Sequence, residues 1–177
     1  MKVAGQEYGQ KLELRKDPNS GGSEEEIRAQ TALMLQIQAD EAEGVELVHS
    51  IELARSQLVS LKGTLAGDST RKDIVAAADS LEQKLIAVEG ELLQLQLTGR
   101  GQDDVRYPMR LLTQLGYLAS GVEASDFAPT TQQSEVQQMW HTKVAAIKGR
   151  LDQLVSGDLK AFNAMLAERK VAGVVVR

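Results

Sequence analysis

Between Leu33 and Leu65, apolar residues return every three or four positions, at Leu33, Ile37, Leu47, Ile51, Ala54, Leu58, Leu61 and Leu65. Asp40 and Gly44 stand at the two remaining points of the series. Residues three and four apart share one face of an α-helix, so the pattern predicts one long amphipathic helix with a continuous seam. Ser23 followed by Glu26 has the spacing of a capping box, and Glu24 and Glu25 put negative charge in the first turn, where the helix dipole favours it. At 1.5 Å per residue, a helix of some 40 residues reaches about 60 Å. That is too long for a compact globule of crossed helices and requires neighbours laid along it.

A second series, Ile74, Ala78, Leu81, Leu85, Val88, Leu92 and Leu95, follows the turn Ala66-Gly67-Asp68-Ser69-Thr70 and predicts a helix that stops at Thr98-Gly99-Arg100-Gly101. A short third helix is expected from Pro108, a favoured first-turn residue, to near Gly121, presenting Leu111, Leu112, Leu115 and Leu118. After the connection Glu123 to Pro129, Thr130 and Gln133 repeat the capping-box spacing and open a fourth helix. It carries Val136, Trp140, Val144, Ile147, Leu151, Leu154, Phe162 and Leu166, with Gly157 as a bending point.

The ends differ from the middle. Lys11-Leu12-Glu13-Leu14-Arg15 alternates like a half-buried strand, and Gly173-Val174-Val175-Val176 is a short β-branched run. The expected organisation is therefore a strand and linker over residues 1–18, a helical bundle over 19–170 and a short strand over 171–177. The fold class is mainly α, an antiparallel up-down-up-down bundle of three long helices and one short. An even number of helices returns the chain to its starting end, where the two terminal strands would meet.

Composition narrows the chemistry. The 177 residues include no cysteine, which removes disulfides, thiolate metal sites and cysteine nucleophiles. A net charge of -5 and only 3% aromatics argue against a nucleic-acid partner, which needs clustered cations and stacking rings. No stretch approaches the roughly 20 apolar residues of a membrane span, so no membrane partner is expected.

Several residues invite a functional reading. Glu46-x-x-His49 has the spacing of a di-iron bundle ligand pair, but one copy does not make a site. The only other histidine, His141, has Gln138 three positions before it, and His49 falls between seam positions and should point outward. Asp40 reads as a polar interruption that fixes register. Gly44 reads as space for a bulky neighbour such as Trp140, which beside Met139 is itself expected to anchor the core. Arg100, Arg106 and Arg110 gather near the start of the third helix with Asp103 and Asp104 among them, a mixture that favours local ion pairing over anion binding. Gly99-Arg100-Gly101 lacks the ending of a phosphate-binding loop, and no serine lies in a nucleophile elbow. No catalytic, cofactor-binding or metal-ligating residue is assigned, no cofactor is expected, and catalysis by this chain is not expected.

The segment Arg106-Tyr107-Pro108-Met109-Arg110-Leu111-Leu112 through Ala128-Pro129-Thr130-Thr131-Gln132, with Asp158-Leu159-Lys160-Ala161-Phe162-Asn163, resembles the C-terminal helical region of bacterial sortilin-like, BNR-repeat glycosyl hydrolase proteins. The strand-like Lys11 to Arg15 with Asp17-Pro18, and the run Ile51 to Leu58, fit the same resemblance. It implies that the chain is the tail of a larger, exported protein whose β-propeller carries any ligand or glycan site, with Met1 an expression start. The implied role is a non-catalytic accessory domain that packs against, spaces or oligomerises the parent protein, in an extracytoplasmic location. The alternative expectation is a free-standing coiled-coil-type interaction protein, and a carboxylate-bridged metal bundle is the remaining enzymatic one.

Overall fold

The computed structural model describes residues 2–176 and every side chain among them except that of Asp104. Met1 as a start, Arg177 as the end of a predicted strand, and the Asp104 side chain in the arginine cluster lie outside the described residues. The helices are α1 (Glu24–Leu65), α2 (Lys72–Leu92), α3 (Asp103–Arg106), α4 (Leu111–Glu123), α5 (Thr131–Leu154) and α6 (Lys160–Glu168). A single π-helical turn over Val155–Leu159 joins α5 to α6, so that the fourth rod is continuous from Thr131 to Glu168. The mainly α helical bundle is as expected.

Both predicted capping boxes form. Ser23 accepts the Glu26 amide while Glu26 accepts the Ser23 amide, and Thr130 and Gln133 repeat the exchange. The α1 seam is buried except at Leu61, which is part-buried, and Asp40 and Gly44 are buried with the apolar residues. Every fully buried leucine or isoleucine in such a seam contributes about 1.5–3 kcal/mol relative to exposure.

The direction of the short helix differs from the up-down-up-down expectation. Lys62 bonds Asp79 and Glu82, and Arg55 pairs with Glu89, so α2 runs antiparallel to α1. Gly44 faces Leu112 and Gln30 donates to the Val122 carbonyl, so α4 also runs antiparallel to α1. Asp40 meets Gln137 and His141, and further along Leu47 and Ser50 share a cleft with Leu151 and Val155; the fourth rod is therefore parallel to α1. The order is up, down, down, up. Length explains it: at 1.5 Å per residue the 42 residues of α1 reach roughly 63 Å and the 21 of α2 only roughly 32 Å. Half of α1 would stay bare on this side unless the next helix continued in the direction of α2, and α4 does so.

The same handover shortens α2, which ends at Leu92 instead of at Thr98 to Gly101, leaving Leu95 exposed. Leu112, together with Leu92, occupies the space beside Gly44, where a Cβ would come 2.6 Å from Leu112 Cδ2; the bulky neighbour is leucine, not Trp140. Trp140 is part-buried against the core, while Met139 is exposed. α4 starts at Leu111, three residues after Pro108, with Arg110 as an extended N-cap, and ends at Glu123. At the other end of α4, Gly22 packs against the α4–α5 connection so closely that a Cβ would stand 2.0 Å from the Asp126 carbonyl oxygen.

The terminal strands are also relocated. The two-stranded sheet pairs Lys2–Val3 with Gln6–Glu7 around Ala4 and Gly5, both at positive φ as a tight hairpin turn requires. Lys11 to Arg15 forms no strand. It is an exposed segment without regular secondary structure whose Glu13 and Arg15 pair with each other at 3.1 Å. Residues 171–176 form no strand either, and the two segments do not pair, because α2 and α4 share one direction and α6 therefore ends at the far end from the start of α1. The tail instead folds back into the groove between α1 and α6, where side-chain amides of Gln57 and Asn163 bond the main chain of Val175 and Val174. The turn that reverses it is a Schellman motif: Val171 N–H bonds Leu166 O at 2.9 Å and Lys170 N–H bonds Ala167 O at 3.1 Å, with Lys170 at φ 57.

A lysine in the left-handed region costs roughly 1–2 kcal/mol, partly offset by the greater freedom glycine would have when unfolded. Lys170→Gly is therefore expected to raise stability by up to about 1 kcal/mol, read as a higher urea midpoint at unchanged slope. A second expectation concerns Glu89, 2% exposed on α2 and paired with Arg55. Removing one member of a buried pair strands the other charge, so Arg55→Met should cost about 3 kcal/mol in denaturant unfolding, and Arg55→Met/Glu89→Leu should recover most of that loss.

Candidate functional site

The arrangement closest to a chemical site is one the sequence does not announce. Asp40 occupies a seam position of α1 and is 3% exposed. Opposite it, α5 presents Gln137 and His141, four residues apart and so on one face of that helix. Gln137 Nε2 donates to Asp40 Oδ2 at 2.9 Å, and His141 Nδ1 lies 2.6 Å from Asp40 Oδ1. With both Asp40 oxygens acting as acceptors, Nδ1 is the donor. The His141 side chain is 54% exposed, so the pair joins a buried carboxylate to a solvent-facing ring.

The bond to Asp40 and the charge of Asp40 raise the His141 pKa above its ordinary 6.5, with Glu43 adding to the effect. The triad borders a cleft of about 320 Å³ whose other lining residues are Gln36, Ala39 and Gln138. An aspartate that orients a histidine is half of a nucleophilic triad, but this lining holds no serine, threonine or lysine for the ring to activate. What the arrangement does is electrostatic: it supplies a counter-charge and two donors to a carboxylate that burial between helices would otherwise leave unsolvated.

The residues singled out by sequence do not converge here. Glu46 lines the α1–α5 cleft, whereas His49 is exposed. Among the described residues no group of three or more histidine, aspartate or glutamate side chains is placed to hold a metal ion. Arg100, Arg106 and Arg110 are exposed, and Asp103 turns to the loop backbone instead, accepting the Thr98 amide at 2.6 Å and the Thr98 hydroxyl at 2.9 Å. Those bonds, the Thr98 amide first, hold the Asp103 carboxyl below its ordinary pKa. Among the described residues no helix is long and apolar enough to cross a membrane. The signal that could have located the Asp40 site was the polar interruption of the α1 seam together with glutamine and histidine four apart on α5. It was missed because the parallel alignment of those rods could not be read before the direction of α4 was known.

Linkage fixes how this pair responds to pH. The folded pKa of His141 exceeds the unfolded value, so the folded state binds more protons between the two, and stability falls as pH rises across that interval. The contribution is fully present below about pH 6.5 and is lost as pH passes the raised folded value. Urea unfolding is expected to show a lower midpoint on the alkaline side of this window, and Asp40→Asn should flatten that dependence; an unchanged slope in the variant would assign the effect elsewhere. No family model, no curated protein and no solved structure matches this chain.

Proposed function

We propose that the chain is a non-catalytic helical accessory domain at the C-terminal end of a larger, extracytoplasmic, sortilin-like BNR-repeat propeller protein, serving packing, spacing or protein–protein contact. The observation that carries this reading is the bare segment ahead of the bundle. Residues 2–19 are exposed, and Leu12 and Leu14, which alternate with Lys11, Glu13 and Arg15, are 83% and 90% exposed. Alternating apolar and charged residues of this kind are stabilised by lying against a sheet, and a β-rich module of the same parent chain would supply one. The rod of roughly 60 Å behind it suits a spacer, because three helical rods clamped by ion pairs hold their two ends at a fixed separation.

A free-standing interaction protein is the second reading, favoured by Leu35, Val45 and Val59, which remain exposed along α1, and homo-oligomerisation through that face belongs to it. Immunoblotting of source cells with an antibody against this chain separates the two. A polypeptide several-fold heavier than 19.2 kDa is expected, and a band at 19.2 kDa would overturn the accessory-domain reading.

A further inference from the structure

The C-terminal tail is held in a way that a merely packed segment is not. Asn163 Nδ2 donates to the Val174 carbonyl at 2.8 Å while its Oδ1 accepts the Val174 amide at 2.8 Å. Gln57 does the same for the next residue, Nε2 to the Val175 carbonyl at 2.7 Å and Oε1 from the Val175 amide at 3.0 Å. Two side-chain amides, one from each wall of the groove, thus grip the main chain of two successive residues without reading a side chain. Val174 is 5% exposed and Val176 is part-buried against the core, whereas Val175 is exposed, which is the alternation of an extended peptide lying in a groove.

Beside Val176 lies a cleft of about 410 Å³. Its apolar floor includes Leu47, Leu151 and Val155, and Glu43 and Glu46 stand on its rim; Lys148, also lining it, is engaged by Asp152 at 3.8 Å.

From this geometry we infer that the groove between α1 and the fourth rod is a peptide-binding site for an extended segment of the pattern aliphatic-x-aliphatic-basic, presented by another polypeptide. The chain's own tail is its intramolecular occupant and competitor. The amides supply affinity for any main chain, the Val174 and Val176 positions select aliphatic side chains, and the acidic rim selects the basic residue that follows. This inference does not depend on the accessory-domain reading, since it concerns a groove wholly within the bundle.

The probe is a fluorescein-labelled hexapeptide with the sequence of residues 172–177, titrated by anisotropy into the full chain and into the full chain carrying Val174→Gly/Val176→Gly. A tethered tail competes at an effective concentration near millimolar, so the variant is expected to bind the peptide at least roughly tenfold more tightly than the parent. Adding Gln57→Leu should abolish that binding, and a peptide ending in glutamate should bind more weakly. Equal affinity for both chains, or binding that survives Gln57→Leu, would overturn the site. Equal binding of the glutamate peptide would overturn the basic preference.

Hydrogen exchange on the unaltered chain gives a reading that needs no variant to fold. Unlabelled peptide at roughly 10 mM, above the tethered tail's effective concentration, should speed exchange of the Val174 and Val175 amides as the tail is displaced. Unchanged exchange there would overturn the proposal.

Discussion

The α1 seam is the constraint from which the rest of the architecture follows. A stripe that returns every three or four residues from Leu33 to Leu65 must be covered from both sides along roughly 48 Å. One side is met by a single continuous rod, α5 through α6. The other is met by two shorter helices placed end to end, and the joint between them falls at Gly44, the seam position without a side chain, where Leu92 of α2 and Leu112 of α4 both approach. A side chain there would compete with the leucine that lets the second helix take over from the first.

Apolar seams fix which faces meet but tolerate sliding by a heptad, and the polar pairs remove that freedom. Arg55 with Glu89, and Lys62 with Asp79 at 2.6 Å and Glu82 at 2.5 Å, lock α1 against α2. Glu91 with Arg150 at 2.7 Å, Lys84 with Asp158, and Asp73 with Arg169 at 2.8 Å lock α2 against the fourth rod in one antiparallel register. Asp40 with Gln137 and His141 locks that rod against α1 in a parallel one. Pairs as exposed as Lys84–Asp158 each contribute little to stability, so their collective role is register, whereas the buried Asp40 and Glu89 make the wrong register costly by leaving a carboxylate unpaired.

How much of this was legible follows from the range of each signal. Helix existence, the α1 seam with its two odd members, and both capping boxes depend on residues within one or two turns, and those readings match the structure. The direction of α4 depends on comparing the lengths of helices far apart in sequence, and counting short links as reversals lost it. The strand reading of Lys11 to Arg15 took period-two alternation as sufficient, but alternation defines only a candidate face, and a strand forms when an edge is offered to it. The Asp40 contacts with Gln137 and His141, 97 and 101 residues away, and the Gln57 hold on Val175, 118 residues away, are long-range, and nothing local to either end specifies them. Gln57 and Asn163 read from sequence as ordinary polar positions, and Asp40 as a register device that lacked its partner.

The π turn ties the last of these contacts to a pattern that does sit in the sequence. Continued at three and four spacing, the series Val144, Ile147, Leu151, Leu154 would bury residues 158, 161 and 165. The buried residues are Leu159, Phe162 and Leu166, one position later. A π turn accommodates one extra residue within an otherwise unbroken helix, and Val155–Leu159 absorbs that slip. Gly157 lies in it with no atom within 4 Å of where its Cβ would be, so the turn answers the phase of the seam and not crowding at the glycine. Once Phe162 faces the core, its neighbour Asn163 falls at the edge of the groove shared with α1, within reach of the tail that Gln57 grips from the other wall. With the helix in uninterrupted α phase, residue 163 would be rotated by about 100° relative to the groove, and the pair of amides would not face one peptide chain. The phase slip and the tail clamp are therefore one feature: the helix gives up regular hydrogen bonding over one turn, and its last nine residues gain both a buried face and a hold on the main chain of residues 174 and 175.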